Sequence, residues 1–186
     1  MADRPYVIIL NGAGSVGKSS TAHALQEITT KPFLHVSMDV FIDMLPKRMF
    51  GHPDGMIFDI EQEQGAPSVV IKTGPVMART MRGMRHAIAA LAAPGNDLVV
   101  DDVMLEAGEA DHYRALLTGV NLRFVGLLAS LEVLEARERA RGDRQLGLAR
   151  WQFDRVHRGQ RYDLEIETSD STPAQNALRI RDAFRL

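Results

Sequence analysis

The stretch Tyr6-Val7-Ile8-Ile9-Leu10-Asn11-Gly12-Ala13-Gly14-Ser15-Val16-Gly17-Lys18-Ser19 decides the fold. Its first residues form an apolar run of strand type, and residues 12–19 spell G-x-x-x-x-G-K-S. That spelling has a mechanism. Glycines let the backbone curl so that successive N–H groups point inward at phosphate oxygens. A lysine then reaches the β- and γ-phosphates, and the serine hydroxyl reaches Mg²⁺. The helix that follows aims its positive end at the same anion. Gly12, Ala13, Gly14, Ser15, Val16, Gly17, Lys18, Ser19 and Ser20 are therefore candidates for nucleotide binding, with Ser19 also a candidate for metal.

One competing reading uses the same glycines. Gly12-x-Gly14-x-x-Gly17 also spells the dinucleotide fingerprint, which wants an acid about 20 residues further on. Asp39 satisfies that spacing. Gly17-Lys18-Ser19 weighs against it, because dinucleotide binding gives no reason for a Lys-Ser pair there.

Working outward, further apolar runs at Phe33–Met38, Leu98–Val103 and Leu122–Leu128 read as strands buried on both faces, with a weaker run at Leu164–Ile166. Helical spacing predicts helices over Ser19–Ile28, Val76–Ala93, Leu131–Ala140, Leu146–Val156 and Pro173–Phe184. Strands alternating with helices imply βαβ units. The expectation is one domain over residues 1–186. Its class is a P-loop NTPase/kinase-like three-layer α/β fold with a five-stranded parallel sheet and a helical lid. Residues 47–75 carry four glycines and three prolines. They read as a substrate-binding insertion or a poorly ordered flap.

The chain has 186 residues and no cysteine, which excludes thiolate catalysis, Cys-ligated zinc and disulfides. Net charge is −2, so the totals give no case for nucleic acid or membrane. No stretch is apolar and long enough to span a bilayer, and the first apolar run is too short for a signal peptide. A cytoplasmic location is expected. Charge is unevenly spread: residues 37–65 hold 6 acids and 2 bases, whereas 131–161 hold 8 bases and 5 acids.

In parallel sheets, ligands sit at the carboxyl ends of strands. Asp39 ends the second strand run, and Asp101 and Asp102 lie near the end of the third. Asp39 reads as the base that receives the acceptor proton, or as a helix N-cap. Asp101 or Asp102 reads as the metal carboxylate. Arg137, Arg141 and Arg144 are spaced to share a helix face, and Gly142 permits a break among them. That suits a lid over about 137–150 that brings guanidinium groups to phosphate. The bland reading is a solvated helix laced with Glu–Arg pairs. Met77, Met81 and Met84 read as core filler or as a plastic apolar wall for an acceptor, with Phe41, Met44 and Phe50 as better candidates for such a wall within about 40–80. His157 beside the lid is a weaker candidate for substrate contact.

These residues resemble a known family. The run Ile9–Ser19, Asp39, Val99-Val100-Asp101-Asp102-Val103, Ala140-Arg141-Gly142-Asp143-Arg144 and Val156-His157-x-Gly159-x-x-Tyr162-Asp163 are similar to chloramphenicol phosphotransferases. These are P-loop kinases that phosphorylate the antibiotic's primary hydroxyl with ATP. The resemblance implies ATP as donor, Asp39 as general base, and Lys18, Arg137 and Arg141 on phosphate charge, with Mg²⁺ as cofactor. It implies antibiotic resistance as a role and chloramphenicol or a related alcohol as acceptor. The alternatives are a nucleoside, nucleotide or metabolite kinase on the same frame, or an ATP-binding sensor without catalysis. A homo-oligomer stays open.

Overall fold

The computed structural model describes residues 4–63, 65–142 and 145–186. Strand β1 (Tyr6–Asn11) runs into the glycine loop and then helix α1 (Lys18–Ile28). Strand β2 (Phe33–Ser37) is followed directly by a short helix, α2 (Met38–Asp43). Next come β3 (Met56–Glu63) and β4 (Ala66–Thr73), then α3 (Pro75–Ala92), β5 (Asp97–Asp102) and α4 (Ala107–Leu116). The chain continues as β6 (Asn121–Leu128), α5 (Leu131–Arg141), α6 (Leu148–Phe153), β7 (Leu164–Glu167) and α7 (Pro173–Phe184). The main sheet has five parallel strands in the order β2-β5-β1-β6-β7. The expected α/β frame is therefore present.

Strand periodicity explains the layers. Successive residues of a strand face opposite sides of a sheet. In β1, Ile8 and Leu10 pack on one side with Leu25 of α1 and Ala177 and Ile180 of α7. Val7 and Ile9 pack on the other with Met84 and Ile88 of α3 and Tyr113 of α4. All four β1 residues are fully buried, so the central strand reads as continuously apolar rather than alternating. Leu134 of α5 and Ala149 of α6 join the α1 side.

Three features differ from the sequence expectation. Residues 47–75 are neither irregular nor a simple flap, because β3 and β4 form an antiparallel hairpin of their own. The second strand stops at Ser37, and helix α2 begins at once. Helix α4 was not foreseen, since its apolar positions are sparse. Helix α5 stops at Arg141, and its C-cap Gly142, the residue where a break was expected, has a left-handed φ of 68°.

Candidate active site

The loop between β1 and α1 is shaped for an anion. Ser15 (φ 64°) and Gly17 (φ 98°) both adopt the left-handed region. Such turns direct successive N–H groups into one concavity. Gly12 has no room for a side chain: a Cβ there would stand 2.5 Å from the Leu127 carbonyl oxygen. Ala13 and Val16 are buried and fasten the loop to the core. The Gly14 N–H donates to Gln152 Oε1 at 2.7 Å. Lys18 Nζ donates to the carbonyls of Gly12 (2.7 Å) and Ala13 (3.0 Å) and stands 3.9 Å from Asp101 Oδ1. Ser19 Oγ donates to Asp101 Oδ2.

A small concavity of about 70 Å³ joins these groups. Ser15, Lys18, Ser19 and Ser20 line it together with Asp39, Asp101 and Arg141. A second opening of about 400 Å³ lies behind the loop, against Arg137, Arg141, Thr168 and Asn176. Arg141 borders both. Arg137 borders only the second among these two, and its guanidinium donates to the Thr168 carbonyl at 2.7 Å. Arg144 and Asp143 lie outside the described residues.

The neighbouring carboxylates Asp101 and Asp102 face opposite sides of the sheet, as strand alternation requires. Asp101 turns toward α1 and the phosphate loop. Asp102 turns toward α4, where Oδ1 accepts from Val103 N (2.8 Å) and Oδ2 from the Tyr113 hydroxyl (2.7 Å). Burial pushes the Asp102 carboxyl up from its ordinary value, against the pull of the Tyr113 hydrogen bond and Arg85. Burial also raises Glu109, which is ion-paired with Arg85. Tyr113 is pushed well above the ordinary phenol value, mainly by burial.

Asp39 is in the first turn of α2 rather than at its cap. Ser37 is the N-cap, and its hydroxyl accepts from Asp39 N at 3.3 Å. The Asp39 carboxylate therefore needs no capping role. It borders the 70 Å³ concavity and also a cavity of about 700 Å³. This large cavity is bounded by the hairpin (Phe58, Val69, Ile71), by α2 and α3, and by the Arg85–Glu109–Asp102 cluster.

Met77 and Met81 line this cavity, as does Phe50. Met84 lies in the core beneath. Phe41 packs against that core, and Met44 is 64% exposed, so neither forms the wall. Gln152, also on the lining, carries no motif that sequence could have flagged. His157 Nδ1 is 2.8 Å from the Tyr162 hydroxyl, which also accepts from Asn11 Nδ2 at 2.7 Å. The histidine thus supports the segment after α6 and is not among the residues lining these three cavities.

The residues fit a nucleotide and a divalent cation. Ser15 Oγ is buried without a hydrogen-bond partner on the wall of both loop-side cavities. Among the described residues, no group of three or more His, Asp or Glu could hold a metal unaided. Mg²⁺ in phosphoryl-transfer sites keeps its waters and needs only one or two protein groups besides the phosphates. Ser19 and Asp101 are such a pair.

Comparison with known proteins agrees with this frame. Structures of similar fold include the APS kinase of Mycobacterium tuberculosis in complex with AMPPNP and APS (TM-score 0.69, 17% identity, 99% of each chain). They also include the tunicamycin resistance protein of Deinococcus radiodurans (TM-score 0.66, 21% identity, 98% of this chain and 97% of the other). A gluconokinase from Sinorhizobium meliloti 1021 is a third (TM-score 0.63, 20% identity, 99% and 97%). In sequence, the chain is 29% identical over 184 residues to a protein of two Mycobacterium tuberculosis strains named "Putative O-phosphotransferase". That match covers 96% of this chain and 82% of the relative. The model of the chloramphenicol phosphotransferase-like proteins matches residues 5–185, and the chain belongs to that family.

Proposed function

We propose that the protein transfers the γ-phosphoryl group of ATP to a hydroxyl of a small molecule, as one kinase domain over residues 1–186 working in the cytoplasm. Family membership supports phosphotransfer to a hydroxyl. The observation that carries the finer reading is the position of Asp39, on the wall of both the phosphate-side concavity and the 700 Å³ cavity. A base for an acceptor hydroxyl has to stand at that junction.

In this reading the loop N–H groups and Lys18 hold the β- and γ-phosphates, and Arg141 closes on them from the lid. Arg137 instead holds the 168–169 segment at the nucleotide side. Ser19 and Asp101 would hold Mg²⁺, which would supply charge neutralisation for the phosphates. Asp102 is not needed for it, because its oxygens are occupied by Val103 N and Tyr113. Asp39 orients the acceptor hydroxyl and takes its proton. The acceptor oxygen bonds to the γ-phosphorus as the bridging P–O bond breaks, and ADP leaves with that electron pair.

The acceptor enters the large cavity. Its walls are chiefly apolar, with charged side chains at Arg82, Arg85, Glu106 and Glu109 besides Asp39 and Asp102. That lining supports a compound with an apolar body and several polar groups, such as chloramphenicol or a related alcohol. The test is an ATP-consumption screen over antibiotics, nucleosides and sugars, repeated with Asp39→Asn. Transfer to at least one alcohol is expected, lost in the variant while ATP binding persists. Full turnover by Asp39→Asn, or no turnover with any acceptor, overturns the proposal.

A further inference from the structure

Helix α6 touches three parts of the site at once. At its start, the Gly147 carbonyl accepts from Val69 N of the hairpin at 2.9 Å. Glu138 of α5, itself only 2% exposed, accepts from Gly147 N (2.8 Å) and Ala149 N (2.9 Å). One turn later Gln152, 4% exposed, accepts from Gly14 N of the phosphate loop at 2.7 Å. Gln152 also lines the large cavity together with Asp39.

The orientation of the carboxamide follows from chemistry. A backbone N–H can only donate, so the oxygen faces Gly14. The –NH₂ end keeps two donors for other partners. Gln152 thus bonds the phosphate loop and borders the acceptor cavity, although it is not among the residues lining the 70 Å³ concavity.

We propose that Gln152 is a positioning residue for the γ-phosphoryl group. It sets the Gly14 edge of the loop through Oε1 and offers its –NH₂ donors to the terminal phosphate. This rests on the kinase reading above.

The test measures binding of AMPPNP–Mg and ADP–Mg to the full chain by calorimetry, for the wild type and two variants. Gln152→Glu still accepts from Gly14 N but sets a negative charge beside the γ-phosphate. It is expected to weaken AMPPNP about tenfold or more and to leave ADP within about threefold. Gln152→Met keeps the volume without polar atoms, and is expected to shift the AMPPNP-to-ADP ratio the same way by about threefold. A packing role moves both nucleotides alike and leaves the ratio unchanged. An unchanged ratio in a variant that melts cooperatively overturns the inference. Failure of the wild type to bind either nucleotide overturns the kinase reading itself, and this inference with it.

Discussion

The two faces of the main sheet treat adjacent carboxylates differently. Asp101 meets Lys18 and Ser19 on the α1 face, where charge belongs beside phosphate. Asp102 meets Tyr113 on the α4 face and is held against its own ionisation by burial. One residue of strand register separates the proposed phosphate side from the proposed acceptor side. The phosphate side is built on one run of sequence neighbours, the loop and the start of α1, which Asp101 and Arg141 join from a distance. The acceptor side is assembled from α2, the hairpin, α3, α4 and α6.

Breaking the phosphate side has the largest effect. Lys18→Ala is expected to cut phosphoryl transfer about a thousandfold, read as kcat/KM in a coupled ADP-release assay. The comparison is sharpest between the two aspartates. Asp101→Asn should lower kcat about a hundredfold and raise the Mg²⁺ concentration needed for half-maximal rate. Asp102→Asn should stay within about tenfold of wild type with an unchanged Mg²⁺ requirement. Equal losses in both variants, in rate and in Mg²⁺ demand, would erase the distinction between the faces.

On the acceptor side, Phe58→Ala removes part of the hairpin wall. It should raise the acceptor KM about tenfold and leave the ATP KM unchanged. A parallel rise in the ATP KM would mean that the hairpin also shapes the nucleotide site.

The smallest effects are in pH dependence. Burial lowers the His157 pKa in the folded state. The stability its neutral form contributes is present above the unfolded value near 6.5 and is lost as pH falls through the folded value. His157→Gln should therefore narrow the drop in Tm between about pH 7.5 and 5.5. Asp102 has the opposite sign. Its folded pKa is raised, so wild type loses stability relative to Asp102→Asn as pH rises through the carboxylate range. The amide can keep Val103 N on its oxygen and donate to Tyr113. Thermal melts across pH check both slopes.

The phosphate half was legible because its chemistry demands consecutive residues. A loop that must curl around an anion writes its glycines, lysine and serine into one octet. Asp39 was legible as a strand-end acid, although α2 replaces the expected strand end and Ser37 takes the cap. The hairpin was obscured by its own punctuation. Glycines and prolines across 47–75 suggested irregular chain, yet Met56–Ile60 and Val69–Ile71 carry β-type residues that pair across the turn at Gly65. Arg137 shows the limit of helix-face spacing. The spacing with Arg141 is right, but the Thr168 carbonyl that accepts from Arg137 is 31 residues away. Gln152 is the same case in sharper form, because its partner Gly14 is 138 residues distant.

The hairpin pairs with itself and not with the five-stranded sheet. Its register is therefore independent of the strands that carry the phosphate loop and Asp101. If the hairpin walls the acceptor site as proposed, a lineage can rewrite β3 and β4 in small steps, changing which compounds are admitted, without altering the strands that carry the phosphate loop and Asp101. Crowded glycines constrain that drift: a Cβ at Gly55 would stand 2.1 Å from the Met49 carbonyl oxygen, and one at Gly74 2.0 Å from that of Pro53. Gly147 sits at φ 100°, and any Cβ there would meet the Pro67 carbonyl oxygen at 2.5 Å. On that proposal, inheriting a new specificity in this architecture means replacing a detachable roof while keeping the glycines on which it rests.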